Sequence, residues 1–212
     1  MIRILPFLFS FTFLIAALND LNSADNKIDF SPLKATVNSE LDQKFTPGAA
    51  IALIQKDQIL FSQGFGNANE EKETPVSADM LFQVGSMTKM MTAIVLTSLG
   101  EEGKVDLNAP IGTYVKGLNS RIGALTCHQL LSQTSGLKDM PGEYGSSDER
   151  DFPKFIRSLR EDIILADPGM AFSYSNLNYA IAGLVIQEVV GKAYADVMSE
   201  RLFLPLGMKR TM

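Results

Sequence analysis

Apolar positions recur along this chain with two periods, and the switches between them mark its elements. Leu33, Val37 and Leu41 share one helical face, which predicts a helix over Phe30–Phe45. Ser31 is its expected N-cap, and Pro32 falls at N1, where a missing N–H costs nothing. Thr46-Pro47-Gly48 breaks that helix. "AAIALIQKDQILFSQGFG" then predicts two strands, Ala49–Gln55 and Gln58–Gln63, joined by a tight turn at Lys56-Asp57. "NANEEKETPVSADM" reads as a polar loop containing a proline.

The stretch "QVGSMTKMMTAIV", from Gln83 to Val95, opens the next helix. Met87, Met90, Met91, Ile94, Val95, Leu96 and Leu99 are apolar at helical spacing on nearly every face. A helix of that kind is expected to be buried, with Gly100 and Gly103 stopping it. Its methionines read as core filler. Yet Ser86, Thr88 and Lys89 are polar at its mouth, and lysine is almost never fully buried without a partner. Such a conflict between pattern and polarity is where functional sites tend to lie.

Beyond an irregular connector, "EEGKVDLNAPIGTYV", a short helix is expected over Thr126–Leu131. Thr126 and Gln129 match a capping box, which puts His128 in a capped first turn as a structural residue. Ser135-Gly136-Leu137-Lys138 follows in a turn. "DMPGEYGSSDERDFP" is a polar loop placed to overhang a site. Helices are predicted over Phe155–Leu165, from about Leu177 to Val190, and over Tyr194–Phe203. Asp167-Pro168-Gly169 makes a turn before the second of these, and Gly191 ends it.

Composition narrows the function classes. The chain has 212 residues, 46% hydrophobic, with a net charge of −5 and no basic run, so nucleic acid is not an expected partner. One cysteine (Cys127) and one histidine (His128) leave no disulfide within the chain. They also leave almost no means of building a His/Cys metal site. No cofactor is implied. Arg3, the apolar run Ile4–Leu18 and the polar "NDLNSADN" have the layout of a secretory signal peptide, taken as residues 1–24 with Ala24 or Ala17 before the cleaved bond. The alternative is a membrane anchor, for which the run is short of about 20 residues. The mature chain is expected to be exported, periplasmic or secreted. After residue 24 the expected organisation is an N-terminal helix with two strands over 25–84, then a mostly helical part over 85–212.

Ser-x-x-Lys occurs three times, at Ser31-Lys34, Ser86-Lys89 and Ser135-Lys138, so the motif alone decides nothing. Ser86-Lys89 is the match that sits just inside an apolar helix start. Residues at i and i+3 are neighbours on a helix surface. A lysine there can hydrogen-bond the serine hydroxyl and act on its proton, and the exposed N–H groups of the helix end favour an oxyanion. Tyr174-Ser175-Asn176 is the one Tyr-x-Asn in the chain. In an extended segment Tyr174 and Asn176 project to the same side. The phenol can relay a proton, and the amide can hold the lysine or a substrate amide. Asn176 also reads as a helix cap. No Gly-x-Ser-x-Gly elbow is present, and a lone His in a capping box makes a Ser-His-Asp triad improbable. No Walker loop appears, and Gly64-Phe65-Gly66 is a hairpin-end glycine pair.

Together these segments resemble the serine β-lactamase-related hydrolases, nearest the class C-like branch with its D-alanyl-D-alanine carboxypeptidases and esterases. The resemblance spans about Pro47 to Met212 through "PGAAIALI", "LFQVGSMTKMMTA", "LGEEGKVDLNAPI", "LTCHQLLSQTSGL", "PGMAFSYSNLNYAIAGLVI" and "LFLPLGM", in that order. It implies an α+β fold, a helical domain packed on an antiparallel sheet. It further implies Ser86 as acylated nucleophile, Lys89 and Tyr174 sharing the proton work, Asn176 positioning substrate, and the Ser86 backbone N–H as an oxyanion donor.

The chain departs from the family pattern at Gln129 and Gln133, where histidine is frequent. It also departs after "PLGM", where the family continues to a Lys/His-x-Gly strand, further strands and a C-terminal helix. Truncation of a longer enzyme is therefore expected. The function that follows is an exported serine hydrolase acting on an amide, lactam or ester, with a small-molecule or peptide substrate. The alternative is a catalytically incomplete remnant that binds a peptide or partner chain without turnover.

Overall fold

The computed structural model describes residues 28–69, 71, 73–140 and 151–211. The expected signal segment and most of the polar loop before Phe152 lie outside the described residues. Two compact units divide at Leu81/Phe82.

In the first unit, helix α1 (Ser31–Lys44) forms where the periodicity places it. Leu33, Val37 and Leu41 are its half-buried residues, and the rest of the helix is exposed. The expected cap is not what starts it. Phe30 occupies the N-cap position with no side-chain bond, and Ser31 is already helical. The Asp29 carboxylate accepts from the Ser31 N–H at 2.9 Å and from its hydroxyl at 2.6 Å. An ionised carboxylate outbids the serine hydroxyl as acceptor for an orphan helix donor. Phe45 ends the helix in the left-handed region, at φ 50°. The helix start meets the sheet through Phe30 and Phe61, whose rings are tilted with centroids 4.9 Å apart.

Strands β1 (Gly48–Gln55) and β2 (Gln58–Asn69) form an antiparallel hairpin, with Gly48 opposite Gly66 and Gln55 opposite Gln58. The turn falls on Lys56-Asp57 as predicted, with Lys56 at φ 54°. β2 does not stop at Gln63 but runs on to Asn69, because the expected polar loop contributes a short strand, β3 (Thr74–Pro75), that pairs with its end. Glycine permits this crossing. A Cβ at Gly64 would lie 2.1 Å from the Val76 carbonyl oxygen, so no side chain fits there. The sheet order is β1-β2-β3, and among the described residues β1 has a strand on one side only.

The second unit is helical: α2 (Met87–Glu101), α3 (Ser120–Gly123), α4 (Cys127–Leu131), α5 (Phe152–Ser158), α6 (Asn176–Val190) and α7 (Tyr194–Met198), with a π-helical turn over Ser199–Phe203. Its core gathers on α6, whose Leu177, Ile181, Leu184, Val185 and Ile186 are fully buried with Leu96 and Leu99 of α2 and Leu130 of α4. Removing that much apolar area from water is the main stabilising contribution, about 25 cal/mol per Å². At the rim, Arg201 grips Glu102 with both guanidinium ends, at 2.6 and 3.3 Å.

Three expectations in this unit are corrected. Helix α2 is not buried on all faces: Thr92, Val95, Leu96 and Leu99 face the core, while Met87, Met90 and Ile94 are 57%, 55% and 46% exposed. Gly100 does not stop it either, and the chain turns at Gly103, at φ 72°. The helix predicted over Phe155–Leu165 starts earlier, with Pro153 in its first turn, and ends at Ser158. Leu159 is extended, and a 3₁₀ turn follows at Glu161–Ile163. Ile156, Leu159 and Ile163 are buried all the same, so a broken backbone delivers the apolar set that the period suggested. Helix α4 carries the predicted capping box: the Gln129 N–H donates to Thr126 Oγ1 at 3.1 Å, and the Thr126 N–H to Gln129 Oε1 at 3.0 Å.

Candidate active site

Gly85, at φ 52°, turns the chain into α2, and Ser86 occupies the N-cap position. A serine there ordinarily spends its hydroxyl on an N–H of the first turn. Ser86 makes no such cap bond. Its Oγ lies 2.7 Å from Tyr174 Oη and accepts from Lys89 Nζ at 3.3 Å. The i, i+3 spacing on one helix makes the second contact, and packing of α6 against α2 makes the first.

Lys89 is half-buried, and its ammonium is well provided for. It donates to Asn176 Oδ1 at 2.6 Å and lies 4.9 Å from the Tyr174 ring centroid. Both contacts offset the cost of partial desolvation. Tyr174 is 44% exposed. The Lys89 ammonium beside it, then the Ser86 hydroxyl, hold its phenol below the ordinary tyrosine range, while the negative charge of Asp139 pushes the other way. Asn176 is the first residue of α6, and its side chain is not a cap: the helix has none. The structure thus brings Ser86, Lys89, Tyr174 and Asn176 into one hydrogen-bonded cluster whose nucleophile candidate is open to solvent.

Tyr174 and Asn176 are held from behind by a buried polar frame. Gln133 takes a left-handed backbone, at φ 59°. Its carbonyl accepts from the Ser173 N–H and its Oε1 from the Ser175 N–H, each at 2.9 Å. Asn178 Nδ2 donates to the same Oε1, and Ser135 Oγ donates to Asn178 Oδ1. Ser175 Oγ donates to the Lys138 carbonyl at 3.0 Å. Gln133, Ser135, Ser175 and Asn178 are all buried, and every buried polar side-chain atom among the described residues has a partner. The sequence hinted at Gln133 only as a departure from a frequent histidine, and gave no signal for Asn178.

The other two Ser-x-x-Lys matches have different surroundings. Ser31 donates to Asp29, and Lys34 lies 5.8 Å from the Phe61 ring centroid. Ser135 is sealed in the frame while Lys138 is exposed. His128 is exposed in the first turn of α4. Cys127 is fully buried, and burial pushes its thiol up to about 12. Among the described residues no group of three or more His, Cys, Asp or Glu could hold a metal, and no helix is long and apolar enough to cross a membrane.

Known proteins share both sequence and fold with this chain. It is 28% identical over 196 residues to Protein flp of Staphylococcus aureus strain MW2, a match covering 90% of this chain and 38% of flp. The penicillin-binding protein homologue from Pyrococcus abyssi, an octamer, superposes with a TM-score of 0.76 at 27% identity, over 86% of this chain and 44% of that one. D-amino acid amidase from Ochrobactrum anthropi SV3, solved with D-phenylalanine, superposes with a TM-score of 0.70 at 27% identity, over 85% and 51%. The chain therefore spans 38% to 51% of the length of these relatives. Its α+β architecture, helices with an antiparallel sheet, is theirs. The family model described as Beta-lactamase matches residues 33–212, and the chain belongs to that family.

Proposed function

We propose that this chain carries the acylating centre of an exported serine hydrolase that acts through a covalent acyl-enzyme on an amide, lactam or ester. The observation that carries the reading is the Ser86 hydroxyl, free of capping duty and 2.7 Å from a phenol whose ionisation a lysine favours. Ser86 Oγ attacks the substrate carbonyl carbon, and its proton passes to Tyr174 Oη, which acts in its phenolate form. The new Oγ–C bond puts negative charge on the carbonyl oxygen, for which the Ser86 backbone N–H is the donor, since the N–H groups of Met87, Thr88 and Lys89 already donate to the Val84, Gly85 and Ser86 carbonyls. On collapse the bond to the leaving nitrogen or oxygen breaks, and Tyr174 returns the proton to it. Water then adds to the ester, Tyr174 takes and returns its proton, and Ser86 is restored. Lys89 holds both oxygens, and Asn176 holds Lys89 or a substrate amide.

The relatives support this substrate class. One is a homologue of penicillin-binding proteins and another an amidase of D-amino acids, so an amide or peptide of a D-amino acid is the first substrate to try. Export rests on the N-terminal apolar run and is tested by fractionating cells that express the full chain.

The test of the chemistry is intact mass after exposure to a fluorophosphonate and to a penicillin. A single adduct that Ser86→Ala abolishes, with the fold retained, is expected. An adduct that survives Ser86→Ala would remove Ser86 as nucleophile. A folded chain that takes no adduct would favour binding without turnover.

A further inference from the structure

We propose that Asp139 is a positioning residue: it fixes the Asn176 amide with its oxygen toward Lys89. This rests on the reading that Ser86, Lys89 and Tyr174 are the working groups. Two donors of Asn176 converge on one oxygen of Asp139, the backbone N–H at 2.9 Å and Nδ2 at 3.3 Å. An ionised carboxylate can only accept. Nδ2 must therefore face Asp139, which leaves Oδ1 on the other side, where it accepts from Lys89 Nζ at 2.6 Å. The flipped amide would set oxygen against carboxylate and NH₂ against ammonium, unfavourable at both ends.

The carboxylate itself is well placed to do this. Lys138, just before it, is tied through its carbonyl to Ser175, just before Asn176. Asp139 and Asn176 are thus held side by side by a bond independent of the one they make. Without Asp139 the amide is held from one side alone, by the Lys89 ammonium and by the Tyr174 hydroxyl, which donates to Oδ1 at 3.4 Å. The amide can then shift, and the ammonium that donates to it shifts too, which changes its distance to Ser86 Oγ. Small misplacements of this kind cost up to about a hundredfold in rate.

The test uses the full chain with Asp139→Ala, Asn176→Ala and the double variant. One readout is the rate of fluorophosphonate labelling. The other is the side-chain amide resonance of Asn176 in an ¹⁵N spectrum, assigned by its absence in Asn176→Ala. Asp139→Ala should slow labelling about ten- to a hundredfold. It should also shift the resonance of the Nδ2 proton that faces Asp139 and speed its exchange with solvent. The double variant should label no more slowly than Asn176→Ala alone, because residues that act as one unit are not additive. Asp139→Asn, which keeps an acceptor oxygen, should recover most of the rate. If Asp139→Ala does not fold, Asp139→Ser, too short to reach both donors, takes its place. Losses that add in full, or an unchanged amide resonance, would overturn the proposal. A wild-type chain that takes no label would defeat the serine hydrolase reading, while the resonance still decides the role of Asp139.

Discussion

Ser86 Oγ and Tyr174 Oη stand 2.7 Å apart across 88 residues of sequence, each on the first turn of, or just before, a helix that packs against the other. The phenol is held below its ordinary range, principally by Lys89, so its base form is reached at lower pH than that of a free tyrosine. Labelling by a fluorophosphonate should therefore rise with pH and level off with a midpoint below about 10. In Tyr174→Phe that rise should vanish and the plateau rate fall by about 10²–10⁴. A midpoint at or above the free-tyrosine value would argue against the phenol as base.

Ser135 offers the cleanest contrast to Ser86. Its hydroxyl donates to Asn178 Oδ1 and accepts from the Leu137 N–H at 3.1 Å, all of it buried. Ser135→Ala strands a buried donor and a buried acceptor, which costs about 1–3 kcal/mol. Urea unfolding should show that loss, while labelling at Ser86 persists in the folded protein. Loss of labelling without loss of structure would mean that the wrong serine has been chosen.

Cys127 supplies a prediction about stability. Its folded thiol is pushed up to about 12 by burial, and an unfolded thiol titrates near 8.5. Above that lower value the unfolded chain releases a proton that the folded chain keeps, so the unfolded state binds fewer protons and stability falls as pH rises. The fall should begin near pH 8.5, level off above the folded value, and be absent in Cys127→Val, as read by denaturant midpoints against pH. Iodoacetamide should alkylate the thiol in denaturant and leave the folded chain untouched.

How much of this was legible in the sequence depends on the range of the interaction. Elements set by local rules were readable: the Thr126/Gln129 capping box, the Lys56-Asp57 turn and the end of α6 at Gly191, at φ 73°. Ser31 misled because its competitor, Asp29, is not part of the usual cap pattern, and α2 misled because periodicity counts apolar residues without knowing which are covered. The four residues of the candidate site could be named from motif and resemblance. What holds them could not. Gln133, Ser135, Asn178 and Asp139 are ordinary loop and helix residues until the fold sets residues 133–139 beside 173–178.

The frame behind Tyr174 has one further property. Gln133, Ser135, Ser175 and Asn178 bond one another through amides and hydroxyls alone, and the lone histidine stands outside the frame, exposed on α4. A histidine in such a hub would change charge across physiological pH and loosen or tighten whatever it held. A hub of amides and hydroxyls is deaf to that change. Acidification can alter the protons on the reacting groups and on Asp139, but the frame behind Tyr174 keeps the same set of bonds, so the segment that carries the phenol holds its place while the charges around it change.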